Sequence, residues 1–231
     1  MYYSHGANNA RGVAILIRNK FDCIVQESVP DADGRFLMLK VLLDGEQALL
    51  VNVYGPDRDS QLSSFHQNLL IHILEKGFDT IDNIITGGNF NCPLNPIVDK
   101  RGGNRIPRQS VINSTDYLQS ERDLHDISRI KNPTLRSFTW SQSEPLIFSR
   151  LDYWLISNFL SDCATEVDIV PAIKADFTLG ARALVPRQRY KMVVSSDTRY
   201  PICRCPVQSL STRSRPCTRA WALCPNSGVG T

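Results

Sequence analysis

Four short segments set polar side chains beside residues that end a strand. They are Asn52-Val-Tyr54-Gly-Pro-Asp57, Gly87-Gly-Asn89-Phe-Asn91, Ser149-Arg150-Leu-Asp152-Tyr and Lys174-Ala-Asp176-Phe177. Loops at strand ends are where active sites are assembled. A carboxylate placed there can take a proton from water, and a phenol or amide can donate to an oxygen. Taken singly, each segment also has a plain structural reading. Asp152 suits a strand-end carboxylate paired with Arg150, and Asn89 and Asn91 suit turn residues that tolerate left-handed backbone.

These segments need elements to hold them, and the hydrophobic pattern supplies candidates. Val13–Arg18, Phe36–Leu43 and Ala48–Tyr54 are short apolar runs rich in β-branched residues, the last two joined by the hairpin turn Asp44-Gly45-Glu46. Gly55-Pro56 stops the third run. Leu62, Phe65, Leu69 and Ile73 recur at helical steps and predict a helix over Ser60–Lys76, capped by Asp59 or Ser60 and ended at Gly77. Asn83–Thr86 is a short strand, and Arg108–Asp123 a second helix with Pro107 in its first turn. Late strands are predicted at Ser137–Ser141, Arg150–Ser157 and Glu166–Val170. Strands of mixed spacing with hairpins and intervening helices predict an α/β sandwich of packed sheets rather than a doubly wound parallel sheet.

Bulk composition separates a body from a tail. The 231 residues are 42% hydrophobic and 21% charged, enough for one domain. Residues 178–231 hold nine basic side chains against one acid, Asp197, a net +8. Residues 1–177 hold seventeen basic against twenty-two acidic, a net −5. The tail is rich in Pro, Ser, Arg and Cys and is predicted to be disordered. Its cysteines, Cys203, Cys205, Cys217 and Cys224, have no histidine nearby and no usual zinc spacing. His5, His66, His72 and His125 likewise form no metal set, and His66 and His72 are expected on the surface or flank of their helix. No apolar run is long enough to span a membrane. No signal peptide is readable at the start, so a nuclear or cytoplasmic rather than secreted protein is expected.

The order of the segments is more telling than any one of them. VNVYGP, GGNFNCPLNPIVDKR, FTWSQ, SRLDYWLIS and PAIKADF together resemble the endonuclease/exonuclease/phosphatase superfamily, and in particular the LINE-type retrotransposon endonucleases related to apurinic/apyrimidinic endonucleases. The resemblance runs from about Tyr3 to Asp176. It implies a four-layered α/β sandwich, two packed mixed sheets flanked by helices, that cleaves a DNA phosphodiester with Mg²⁺ and needs no small-molecule cofactor. By resemblance, Tyr54 contacts the scissile phosphate and Asn91 helps hold the phosphate and nucleophile. Asp152 orients a catalytic histidine, and Asp176 lies near the metal as its one remaining ligand. Lys100, Arg101, Ser149 and Arg150 are the DNA-facing residues the resemblance implies.

The sequence also departs from that family. The family has Asp where Asn89 stands, and an amide cannot take a proton from water near neutral pH. A comparable swap in a protease triad lowers turnover about 10⁴-fold. The family's histidine is replaced by Phe177, which offers neither a hydrogen bond nor a charge. The opening strand–helix–strand, with its metal-binding glutamate, has no counterpart, and Asp57 adds a charge expected to be uncompensated beside the DNA groove. After Asp176 the match is expected to end, in the manner of a frameshift or splice. The combined expectation is a truncated, degenerate retrotransposon endonuclease domain over 1–177, impaired in hydrolysis, with a basic tail over 178–231. Two alternatives stay open: a non-catalytic nucleic-acid-binding protein using that tail, and a translated pseudogene without function.

Overall fold

Alternating apolar residues in the central strands dictate how the layers stack in this computed structural model, which describes residues 1–6, 11–17, 21–104, 106–161, 164, 166–171, 179–185, 190–195 and 219–225. In chain order the first elements are β1 (Tyr2–His5), β2 (Gly12–Ile17), β3 (Cys23–Pro30), β4 (Phe36–Leu43), β5 (Glu46–Tyr54), α1 (Asp59–Glu75) and β6 (Asn83–Asn89). Then come α2 (Pro96–Asp99), β7 (Lys100–Arg101), α3 (Gln109–Glu121), β8 (Leu124–Asp126), α4 (Ile127–Lys131), β9 (Trp140–Gln142) and β10 (Ile147–Ser149). The last are β11 (Asp152–Ser157), α5 (Asn158–Ser161), β12 (Glu166–Pro171), β13 (Leu179–Val185), β14 (Tyr190–Ser195) and β15 (Arg219–Pro225).

One sheet has the order β3-β4-β5-β6-β11-β8 and a second the order β1-β2-β15-β14-β13-β12, while β7-β10-β9 forms a small third sheet. Both large sheets are mixed, with β5–β6 and β2–β15 parallel and their other pairs antiparallel. Successive side chains of a strand point to opposite faces. Leu37, Leu39, Val41, Ala48, Leu50, Ile85, Trp154 and Ile156 therefore meet Val13 and Ile15 of β2 in a core between the sheets. Their neighbours Met38, Leu49, Val51, Val53, Ile84, Tyr153 and Leu155 face the other way, against Leu62, Phe65, Leu69 and Ile73 of α1 and Val111 and Leu118 of α3. The expected α/β fold of packed mixed sheets flanked by helices is what forms.

The hairpin between β4 and β5 follows its sequence closely. Asp44 and Gly45 both have positive φ (51° and 85°) between the paired residues Leu43 and Glu46, the two-residue turn that matches strand twist. Gly77, with φ 64°, closes α1 as predicted. The start of α1 differs: Arg58 takes the cap position with no side-chain cap. Asp59 instead accepts the Arg108 N–H at 3.3 Å and ties α1 to the start of α3. His66, expected on the helix surface or flank, is 0% exposed in the core. The strands β13 to β15 lie in the segment where composition predicts disorder. Backbone pairing of β15 with β2 brings them into the second sheet, a long-range contact that composition does not register. The tail cysteines Cys203, Cys205 and Cys217 lie outside the described residues.

Candidate active site

Strand register places three of the singled-out residues in one line. Asn89 at the end of β6 is the direct partner of Tyr54 at the end of β5. It is also the direct partner of Asp152 at the start of β11. The row just inside it is Asn52, Gly87 and Trp154, and it reports which way the line faces. Asn52 donates from Nδ2 to the carbonyl of Ala14 in the second sheet (2.9 Å), and Trp154 is in the core between the sheets. Two residues further along each strand, Tyr54, Asn89 and Asp152 share that face and form a row at the mouth between the sheets. Asn89 and Asp152 are 5% and 2% exposed, and Tyr54 is half-buried. Gly87 makes the row possible: a Cβ there would stand 2.3 Å from the Trp154 ring.

Asn91 joins the row through a turn. Its backbone, at φ 54°, brings its N–H to Asn89 Oδ1 at 2.6 Å, and its Nδ2 donates to the Gly55 carbonyl at 2.6 Å. The Gly55 N–H donates to the Asn89 carbonyl at 2.7 Å, and the Phe90 N–H to the Leu151 carbonyl at 2.8 Å. The turn is thereby tied to both flanking segments. Behind it, Tyr153 accepts the Leu94 N–H at 3.0 Å and donates to the carbonyl of Arg150 at 2.6 Å, with that of Cys92 also in reach. Burial pushes the Tyr153 phenol well above its ordinary pKa, so it stays a neutral donor. Burial likewise raises the Cys92 thiol to about 12, which makes it an inert core residue.

Two positions that the motifs did not single out complete the support. Thr139 is 0% exposed, and its hydroxyl accepts the N–H groups of Leu151 (2.9 Å) and Asp152 (3.1 Å). It fixes the start of β11 from a residue thirteen positions earlier, and only its place in the FTW segment hints at this. Arg35 stands with its guanidinium carbon 5.8 Å from the centroid of the Tyr54 ring and donates to the Tyr54 carbonyl at 3.3 Å. Burial and Arg11 lower the Arg35 pKa, and Asp57 opposes that shift. Asp57 therefore lies within electrostatic reach of a cation, contrary to the uncompensated charge expected from its sequence position.

Arg150 was implied to face DNA, and its surroundings give it another task. It is 1% exposed and pairs through Nε with Asp99 Oδ1 (2.8 Å) and through both terminal nitrogens with Asp126. Arg129 bonds the same Asp99 carboxylate, and the Arg150 guanidinium lies 4.5 Å from the Tyr153 ring centroid. Burial alone would lower the Arg150 pKa, but Asp126 and Asp99 carry it above the ordinary arginine value. Burial alone would raise Asp99, and its bonds from Arg150 and Arg129 hold it below the usual carboxylate value. With its donors spent on internal carboxylates, Arg150 is a structural cation. Ser149 is 6% exposed in β10. Lys100 and Arg101 form β7 opposite β10, half-buried and exposed respectively. His125 donates from Nε2 to the exposed Asp123 carboxylate at 2.8 Å. Tyr54, Asn89, Asn91 and Asp152 thus come together, while Asp176 and Phe177 lie outside the described residues.

The donors in the row are a poor match for Mg²⁺, which favours hard carboxylate and phosphate oxygens. The row offers one carboxylate faced by an amide. Among the described residues no three His, Cys, Asp or Glu side chains gather in a way that would hold a metal ion.

A family model described as Endonuclease/Exonuclease/phosphatase family matches residues 1–197. The chain belongs to this family. Solved structures share its fold. The AP endonuclease LMAP from Leishmania major is 16% identical, with a TM-score of 0.56, over 68% of this chain and 56% of its own. The 3' phosphatase NExo from Neisseria, in a structure bound to a product DNA hairpin, is 14% identical, with a TM-score of 0.52, over 70% and 71%. The endonuclease domain of TRAS1, a telomere-specific non-LTR retrotransposon, is 13% identical, with a TM-score of 0.53, over 73% and 70%. The chain therefore spans little more than half the length of the Leishmania protein. The endonuclease/exonuclease/phosphatase match also runs beyond residue 177, past the point where the motifs alone placed the end of the domain. Among the described residues no helix is long and apolar enough to cross a membrane.

Proposed function

We propose that this member of the endonuclease/exonuclease/phosphatase family is a retrotransposon-type DNA endonuclease domain that engages a DNA phosphate but hydrolyses it poorly. The observation that carries the reading is the row Tyr54–Asn89–Asp152 across three adjacent strands, with Asn91 tied to it by the Asn89 side chain. In this reading the Tyr54 phenol and the second amide hydrogen of Asn91 donate to phosphate oxygens. Lys100 and Arg101 on β7 contribute charge toward the nucleic-acid backbone, as do the arginines of 178–231, in a salt-sensitive way. The motif blocks GGNFN and SRLDYWL support the retrotransposon branch.

Poor hydrolysis follows from residue chemistry. Asn89 cannot serve as a base. Asp152 has Phe177, in the place of a histidine, as its counterpart in the next motif. Asp176 is the candidate toward Mg²⁺ that the resemblance supplies, and an amide at position 89 adds no charge beside an ion. Plasmid nicking in Mg²⁺ tests the reading with the natural chain, Asp152→Ala and the double variant Asn89→Asp, Phe177→His. The natural chain is expected to leave supercoiled plasmid intact and the double variant to nick it. Nicking by the natural chain that Asp152→Ala abolishes overturns impaired hydrolysis, and no nicking by the double variant overturns the assignment of those two residues as its cause.

A further inference from the structure

Asn89 and Asp152 are directly opposed on the antiparallel strands β6 and β11, on the same face and almost without solvent contact. Opposed side chains in such a pair have Cβ atoms roughly 4.5–5.5 Å apart. Two carboxylates at that separation, with little water between them, repel one another, and a bound cation relieves the repulsion. A carboxylate opposed by an amide has no such need. The amide is also fixed in its orientation, because Asn89 Oδ1 accepts the Asn91 N–H at 2.6 Å. That bond turns the Asn89 Nδ2 donor away from the Asn91 N–H.

We propose that the Asn89–Asp152 pair makes the row stable without a divalent cation, and that the residue at position 89 decides whether the row binds one. An aspartate there would place two buried carboxylates face to face and create a cation site that this row lacks in the natural chain. The inference rests on the reading of the row as the site, but it concerns the binding of an ion rather than cleavage, so the two fail in different assays.

The test is thermal melting in EDTA and in MgCl₂ at matched ionic strength, without DNA. The natural chain melts at the same temperature in both. Asn89→Asp melts lower in EDTA by about 2–4 °C, as expected for a repulsive cross-strand pair in a chain of this size, and MgCl₂ restores it. The swap Asn89→Asp, Asp152→Asn keeps a single carboxylate in the row and shows no response to MgCl₂. Titration with MnCl₂, followed by loss of the free-ion paramagnetic signal, gives saturable binding for Asn89→Asp and none for the natural chain or the swap. The proposal is overturned by Mg²⁺ stabilisation of the natural chain that Asp152→Asn removes. It is equally overturned if Asn89→Asp ignores Mg²⁺, or fails to fold with and without it.

Discussion

Two buried polar regions meet at the start of β11, and they are built on opposite principles. The Arg150 cluster opposes guanidinium groups of Arg150 and Arg129 to carboxylates of Asp99 and Asp126, with several bonds to each carboxylate. The row beginning two residues later has a phenol, two amides and one carboxylate. The first region is matched in charge and its donors are used internally. The second is poor in charge and lies at the mouth between the sheets, where the proposed reading has Tyr54 and Asn91 meet a phosphate. Arg150 and Asp152 belong to the same motif, yet one is held in a buried ion-pair cluster and the other stands in the row opposite Asn89. Adjacency in a motif therefore does not assign a common role; the partners each side chain meets decide it.

The comparison can be broken most sharply at Arg150. Arg150→Met leaves the carboxylates of Asp99 and Asp126 without their main partner, and loss of one member of a buried pair costs about 3–5 kcal/mol. Circular-dichroism melting should register a drop of roughly 10 °C. An unchanged melting temperature would return Arg150 to the list of DNA contacts.

Acid separates the two regions by a smaller effect. Behind the row's turn, His66 contacts Ser114 Oγ through Nδ1 at 3.0 Å and the Phe90 ring at 6.4 Å between centroids. Burial lowers its pKa from 6.5 to about 4. Between those values the unfolded chain binds a proton that the folded chain does not, so stability is complete above the unfolded pKa and declines as pH falls toward 4. The slope from this one group is up to about 1.4 kcal/mol per pH unit. Asp99, also held below its ordinary value, gives a slope of the same sign in a lower window: its contribution is present above the unfolded carboxylate pKa and is lost only as pH falls below it. Denaturant titrations from pH 7 to pH 4 should show a decline that His66→Gln flattens. Equal slopes in both proteins would contradict the assignment to His66.

Much of this was legible before the structure. The apolar runs Phe36–Leu43 and Ala48–Tyr54, the Asp44-Gly45 turn and the 3–4 spacing of α1 are local signals, and each element formed where its residues favour it. Tyr54, Asn89, Asn91 and Asp152, which the fold brings into one row, were singled out from motif order. Three things were not. Short strands such as β8 and β10 take their pairing from distant neighbours and carry little pattern of their own. The partners of Arg150 come from Asp99 and Asp126, fifty-one and twenty-four positions away, so its sequence neighbours suggested a surface role. His66 falls beside the buried stripe of α1, and its ring is met there by the hydroxyls of Ser114 and Thr115 on α3, partners that its own segment does not reveal.

The central claim is that the row engages phosphate while the Arg150 cluster does not. Its most direct test is the binding of a fluorescent duplex DNA in EDTA, natural chain against Tyr54→Phe, with melting temperature as a control. Removing one hydroxyl that donates to a charged oxygen should weaken binding about tenfold at a temperature where both proteins are folded. Equal affinity in the two proteins would contradict the claim and place DNA contact elsewhere on the molecule.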